Sequence, residues 1–179
     1  MKPVPVRRVV TGHDAQGRSI VDSDAPSPHV RSSEHRPGIV YHNLWTTPGA
    51  PAPIDGPVDP VSEAMTLQPP SSGSNFRMVE FGPESEYPPD PSAVLAGFAE
   101  LGAASEAVVA QGLARHPAMH RTHSVDYAIV IEGEIWLLLD EGETLLKQGD
   151  ICIQRATNHA WSNRSERRCV MAFVLLDGA

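Results

Sequence analysis

Apolar and polar residues alternate along most of this chain in short runs, the period-two signature of β-strands with one buried face. VRRVV (Val6 to Val10) and RSIV (Arg18 to Val21) flank the turn-forming stretch His13-Asp14-Ala15-Gln16-Gly17 and predict a hairpin; GIVYHNLW, Gly38 to Trp45, predicts a further strand. From Pro48 to Ser74 the alternation stops, and seven prolines remove backbone donors and forbid a regular ladder, so a long loop is predicted. NFRMVEF, Asn75 to Phe81, alternates again and returns to the sheet. Asp90-Pro91 then supplies a helix cap and a first-turn proline, with Val94, Leu95, Phe98 and Leu101 marking one face and Gly102 as a stop. Ser105 can cap a second helix, with Val108, Val109 and Leu113 inward, before His116-Pro117 ends the pattern. From Met119 onward the chain is a meander with little slack: HSVDYAIVIEGEIWLLLD, a turn at Glu141-Gly142, ETLLKQGD, ICIQ, HAWSN and CVMAFVLLD.

Strands this short, with turns at close intervals, predict an all-β barrel or sandwich. At 179 residues one domain is the default. It divides into an N-terminal β arm over 1–47, the proline-rich loop over 48–74, and a barrel over 75–179 that carries a helical insertion at about 90–115.

The chemistry concentrates in the last third. HRTHSVDYAIVIEGE contains His120, Asp126 and Gly133; GDICIQRATNHAWSN contains Gly149, Asp150, His159 and Asn163. In these residues the segment from Met119 to Asp177 resembles the cupins, which carry an HxH, then Glu, then Gly seven residues on, followed by a Gly-Asp turn, a His and, four residues later, an Asn. The resemblance implies a double-stranded β-helix, or jelly-roll barrel, with a pocket for one divalent metal ion. Strand parity agrees: His120, Thr122 and Asp126 share one face, and His159 and Trp161 share the face of a neighbouring strand. Imidazole and carboxylate donors of this kind suit Fe, Mn, Zn, Ni or Cu, with positions left open for a substrate. His120, Asp126 and His159 are therefore the expected ligands. His123 has the opposite parity and would join them only if a β-bulge turned it inward.

Three departures from the family pattern bear on that expectation. Thr122 replaces the second His of HxH, Asp126 replaces the longer Glu, and Gln154-Arg155-Ala156-Thr157 stands one residue short where a Pro-x-Gly turn is usual. Thr122, Trp161, Gln154, Tyr127 and Trp136 are expected to line the pocket, with Arg77 a further candidate. Asn163 reads as a turn-fixing residue, and His116 as a loop residue. His13, His29, His35 and His42 have no site-like spacing and read as surface residues.

Charge narrows the partners. With 22 acidic against 14 basic residues, the formal net charge of −8 repels phosphate backbones and anionic lipid, so neither nucleic acid nor a membrane is expected. No apolar run is long enough to span a bilayer, no cleavable leader is apparent, and a cytoplasmic protein is expected. Cys152 and Cys169 lie in apolar runs and read as reduced core thiols. GxGxxG, P-loop, GxSxG and HExxH motifs are all missing.

Two functions remain open. One is a metal-dependent enzyme of decarboxylase, isomerase or dioxygenase type acting on a small organic acid, carbonyl or enolisable substrate. The other is a non-catalytic barrel that binds a small molecule as sensor or carrier, which the Thr122 and Asp126 departures favour. A pure dimerisation barrel is a third reading, and a homodimer is the assembly the resemblance implies in any case.

Overall fold

The computed structural model describes residues 1–56, 59–61, 64–103 and 115–178. In chain order its elements are β1 (Arg7–His13), β2 (Ser19–Pro26), β3 (Val30–Ser32), β4 (Ile39–Thr47), β5 (Ser74–Phe81), α1 (Pro91–Glu100), β6 (Ser124–Glu132), β7 (Glu134–Leu139), β8 (Glu143–Lys147), β9 (Ile151–Arg155), β10 (His159–Ser162) and β11 (Cys169–Asp177). The predicted second helix falls outside the described residues. Among the described residues no helix is long and apolar enough to cross a membrane.

Nine strands make two antiparallel sheets, in the orders β3-β4-β5-β11-β6-β9 and β10-β7-β8. Alternation decides which side chains fill the space between them. Tyr41 of β4, Val79 and Phe81 of β5, Ala128 and Val130 of β6, and Met171, Phe173 and Leu175 of β11 meet Ile135 and Leu137 of β7 and Trp161 of β10 in one continuous core. This is the expected β-barrel. An isolated backbone bridge also ties the segment that leads into β6 to β10: His120 N donates to His159 O and His159 N to His120 O, each at 2.9 Å.

The turn that feeds β7 requires glycine. Gly133 has a φ of +81°, and a Cβ there would lie 2.8 Å from the Arg168 carbonyl oxygen. The Gly-Asp pair of the second motif is also a turn device: Asp150 Oδ2 accepts from Lys147 N at 2.8 Å, and Gly149 N donates to Val130 O at 2.8 Å. Where the family's Pro-x-Gly is missing, Ala156 takes a φ of +48°, unusual for a residue with a side chain.

The arm is shorter than its sequence suggested. Only β1 and β2 stand apart as a hairpin; β4 pairs with both β3 and β5 inside the large sheet. The hairpin is fastened by Arg8, whose Nη1 donates to Leu44 O at 3.1 Å and whose guanidinium pairs with Asp59. Helix α1 begins as expected, with Asp90 Oδ1 accepting from Ala93 N at 2.9 Å. Val94, Gly97 and Phe98 are its buried positions and the C-cap Leu101 is buried after them, whereas Leu95 is 52% exposed, because one residue corresponds to 100° of rotation and carries it off the inner face.

Candidate metal and substrate cavity

The His120–His159 bridge holds two imidazoles side by side, with ring centroids 4.4 Å apart. They sit inside a ladder of rings: Phe98 of α1 is 4.7 Å from His120, Trp161 is 5.8 Å from His159, and Phe173 is 5.7 Å from Trp161. The helical insertion therefore packs directly onto one candidate ligand.

Both rings are held the same way. His120 Nδ1 lies 2.9 Å from Ala118 O, and His159 Nδ1 lies 3.0 Å from Thr157 O. A carbonyl only accepts, so each Nδ1 carries the hydrogen, and in the neutral ring each Nε2 is left with its lone pair. Burial first, then the neighbouring His159, keeps His120 well below 6.5; burial lowers His159 to about 4, against the Thr157 bond. Neutral imidazoles with Nδ1–H anchored on backbone carbonyls have the orientation and tautomer of metal-ligating histidine.

The rings open onto a cavity of about 70 Å³, also lined by Thr122, Asp126, Arg77 and Arg36. Along the inner face of β6, Ser124 Oγ lies 2.9 Å from Thr122 Oγ1 and donates to Asp126 Oδ1 at 2.6 Å. Burial raises the Asp126 carboxyl to about 6, opposed by the Ser124 bond and by Arg77. Arg77 is 3% exposed, and burial lowers its guanidinium to about 10, so it stays charged. Among the described residues no group of three or more His, Cys, Asp or Glu side chains stands close enough to hold a metal ion. The donor chemistry thus fits an ion at two imidazoles, and Asp126 lines the cavity without joining them in a cluster.

Of the residues singled out in the sequence, His120, Thr122, Asp126, His159, Trp161 and Arg77 all line this cavity. His123 is exposed, with backbone bonds from its N to Gln68 Oε1 and to its O from Gly178 N, because no bulge reverses its parity. Three expected lining residues lie elsewhere. Tyr127 is 42% exposed on the outer face of β6, as its odd parity relative to Asp126 dictates. Trp136 lies off the inner phase of Ile135 and Leu137, under the Arg164 guanidinium at 4.9 Å. Gln154 is buried opposite Asp126, but its amide is turned away to Thr157. His42 is a correction too: far from lying on the surface, it is fully buried, with Nε2 2.7 Å from Glu80 Oε1. Asn163 does fix a turn, its Nδ2 donating to Phe81 O and Arg167 O.

Sequence reading missed Arg36 and Tyr41 in the lining. Tyr41 could have been found by its phase with Ile39. Arg36 belongs to the loop before β4, and nothing periodic marked it. It reaches the site by resting its guanidinium 5.3 Å from the Phe98 ring centroid.

No protein-family model matches the chain. Curated proteins do. The cupin-domain-containing oxidoreductase virC of Hypocrea virens is 31% identical over 180 residues, which cover 95% of this chain and 75% of that one. The chain belongs to the cupin superfamily. This cupin is also 31% identical over 180 residues to the phomopsin biosynthesis cluster protein C' of Diaporthe leptostromiformis, covering 95% of the cupin and 77% of the relative. Among solved structures it is similar to the Cupin_2 domain of an XRE family transcriptional regulator from Enterobacter cloacae. That likeness is 15% identical, covers 79% of this chain and 99% of that one, and has a TM-score of 0.42, too loose to carry an argument.

Proposed function

We propose that this cupin is a metal-dependent enzyme acting on a small organic acid, carbonyl or enolisable compound, with His120 and His159 as the imidazole ligands and Asp126 as the carboxylate of the site. The observation that carries the reading is the matched pair of neutral rings, each with Nδ1 fixed on a carbonyl and Nε2 left unprotonated beside a cavity. Among decarboxylase, isomerase and dioxygenase chemistries, relatives named as oxidoreductases favour the redox branch. When bound, an ion such as Fe, Mn, Ni or Cu would supply Lewis acidity and one-electron chemistry at the two rings.

The protein's own groups have separate tasks in this reading. His120 and His159 are preorganised by the backbone, so binding costs little ring reorientation. Asp126 Oδ1 accepts from Ser124, which leaves Oδ2 to hold or release a proton near neutral pH. The rings of Phe98, Trp161 and Phe173 keep water out of the apolar walls. A second copy of the chain is the partner we propose, supported by the outer face of the large sheet, where Tyr127, Ile131, Ile151 and Ile153 are each more than 40% exposed.

The test is elemental analysis of untagged protein, repeated on His120→Ala and His159→Ala. Near-stoichiometric metal in the parent, lost in both variants, supports the enzyme. No metal in the parent moves the reading to a small-molecule sensor or carrier, which the lack of a third clustered ligand among the described residues favours.

A further inference from the structure

The cavity's charge runs against that of the whole chain. The formal net charge is −8, yet the lining holds two guanidiniums, Arg36 and Arg77, against one carboxylate, Asp126, and two neutral imidazoles. Arg77 is the more telling of the two arginines. Its Nη2 donates to Thr66 O at 2.8 Å, its Nε is buried without a partner, and among the described residues it makes no ion pair within 4.0 Å. A buried guanidinium whose Nε has no partner, and whose nearest charge is Asp126 across the cavity without an ion-pair contact, is costly, and its planar fork matches a carboxylate. Arg36 likewise makes no side-chain hydrogen bond among the described residues, and it stands where the cavity meets a second, larger one.

That larger cavity, of about 300 Å³, shares Arg36, Phe81 and Trp161 with the inner one; Tyr87, Pro88 and Val94 form an apolar stretch of its wall, and Glu84, Glu86 and Asp90 also line it. At about 30 Å³ per water, the inner space takes only a head group. The outer one has room for an uncharged body resting on the Tyr87, Pro88 and Val94 wall, and its carboxylates leave the inner guanidiniums as the place for a negative charge.

We propose that Arg77 and Arg36 bind the carboxylate of an anionic substrate, whose head enters the cavity beside His120 and His159 while its apolar body lies in the outer cavity. The inference rests on reading this cavity as the substrate site, and it adds the substrate's charge, the residues that recognise it and the direction from which it enters.

Benzoate, with benzamide as its uncharged counterpart, is the probe, titrated calorimetrically into the full chain as purified and again after EDTA treatment. Benzoate should bind in both states, and benzamide at least tenfold more weakly. Arg77→Gln should weaken benzoate at least tenfold and Arg36→Gln at least threefold. Where R77Q fails to reproduce the parent's near-ultraviolet circular dichroism, R36Q carries the test, since Arg36 is only half-buried. Equal binding of benzoate and benzamide, or benzoate affinity unchanged in the arginine variants, overturns the proposal. So does benzoate binding that EDTA abolishes, a result that leaves the metal reading intact. Arginine-dependent binding in a protein that never held metal sustains the proposal while removing the metal-dependent reading.

Discussion

Two sets of histidines in this barrel have been put to opposite uses. His42, His116, His29 and His35 each turn Nε2 toward a carboxylate, at 2.7 Å from Glu80, 3.0 Å from Glu84, 2.9 Å from Asp59 and 3.2 Å from Glu100. His116 is fixed at its other nitrogen too, since Nδ1 accepts from Ala118 N at 3.1 Å. Among the described residues His120 and His159 meet no carboxylate; they give a hydrogen to a carbonyl and keep Nε2 for whatever enters the cavity. The difference teaches which imidazoles are available. A ring whose Nε2 already faces a carboxylate has become structure, whereas one steadied only at Nδ1 is oriented and still free to act.

The sharpest way to break this division is to truncate one member of each set. His42→Ala removes a fully buried ring and one partner of Glu80, which keeps Val4 N and Arg168, and should cost about 2–4 kcal/mol in urea denaturation, with metal content unchanged. His159→Ala should empty the site and cost about 2–3 kcal/mol, from the buried ring packed against His120 and Trp161 and the lost bond to Thr157. Metal lost from His42→Ala, or retained in His159→Ala, would erase the distinction.

A smaller effect is expected where the arm is fastened. The Arg8 bond, then His29, hold the Asp59 carboxyl well below its ordinary range, against some burial. A carboxylate depressed in the folded state contributes stability above its unfolded value, about 3.9, and loses it as the pH falls toward the folded one. The pair is partly exposed, so about 1 kcal/mol is at stake. The protection of the β1 amides, taken relative to their intrinsic exchange rates at each pH, should fall from about pH 4 downward while that of β6 holds; simultaneous loss of both would show that the hairpin is no separate unit.

The smallest effect concerns the cysteines, which stand apart from both histidine sets. Cys169 is fully buried and its thiol is pushed up to about 12 by burial, then by Glu132 and Glu134. Iodoacetamide at pH 8 should leave it untouched in the folded protein and react slowly with half-buried Cys152, without changing metal content. Rapid labelling of Cys169 would mean that β11 opens easily.

Strand parity made much of the cavity legible in advance, because it is a local property. Once Asp126 is placed inward, Thr122 and Ser124 follow, and Tyr127, the next residue on the strand, must face out, against its expected lining role. Parity gives a phase and says nothing of what covers the opposite face. The spacing of His42 carries no sign of its burial, because the partner that meets it, Glu80, comes from β5, a neighbour far along the chain. Trp136 was misplaced because the turn at Gly133 resets the phase of β7. Arg36 carries no period at all, and its place at the cavity mouth is set by the turn at Ser33 and by Gly97 and Phe98 of α1, against which its side chain lies.

The reciprocal backbone bridge between residues 120 and 159 has one more consequence. Because the two rings belong to segments that touch only when the sheets come together, the site comes into being with closure of the barrel, and anything gripping both Nε2 atoms acts as a clasp across the join. Such a ligand would stabilise the closed form by mass action in proportion to its occupancy. The temperature at which this protein opens would then track the metal in its surroundings.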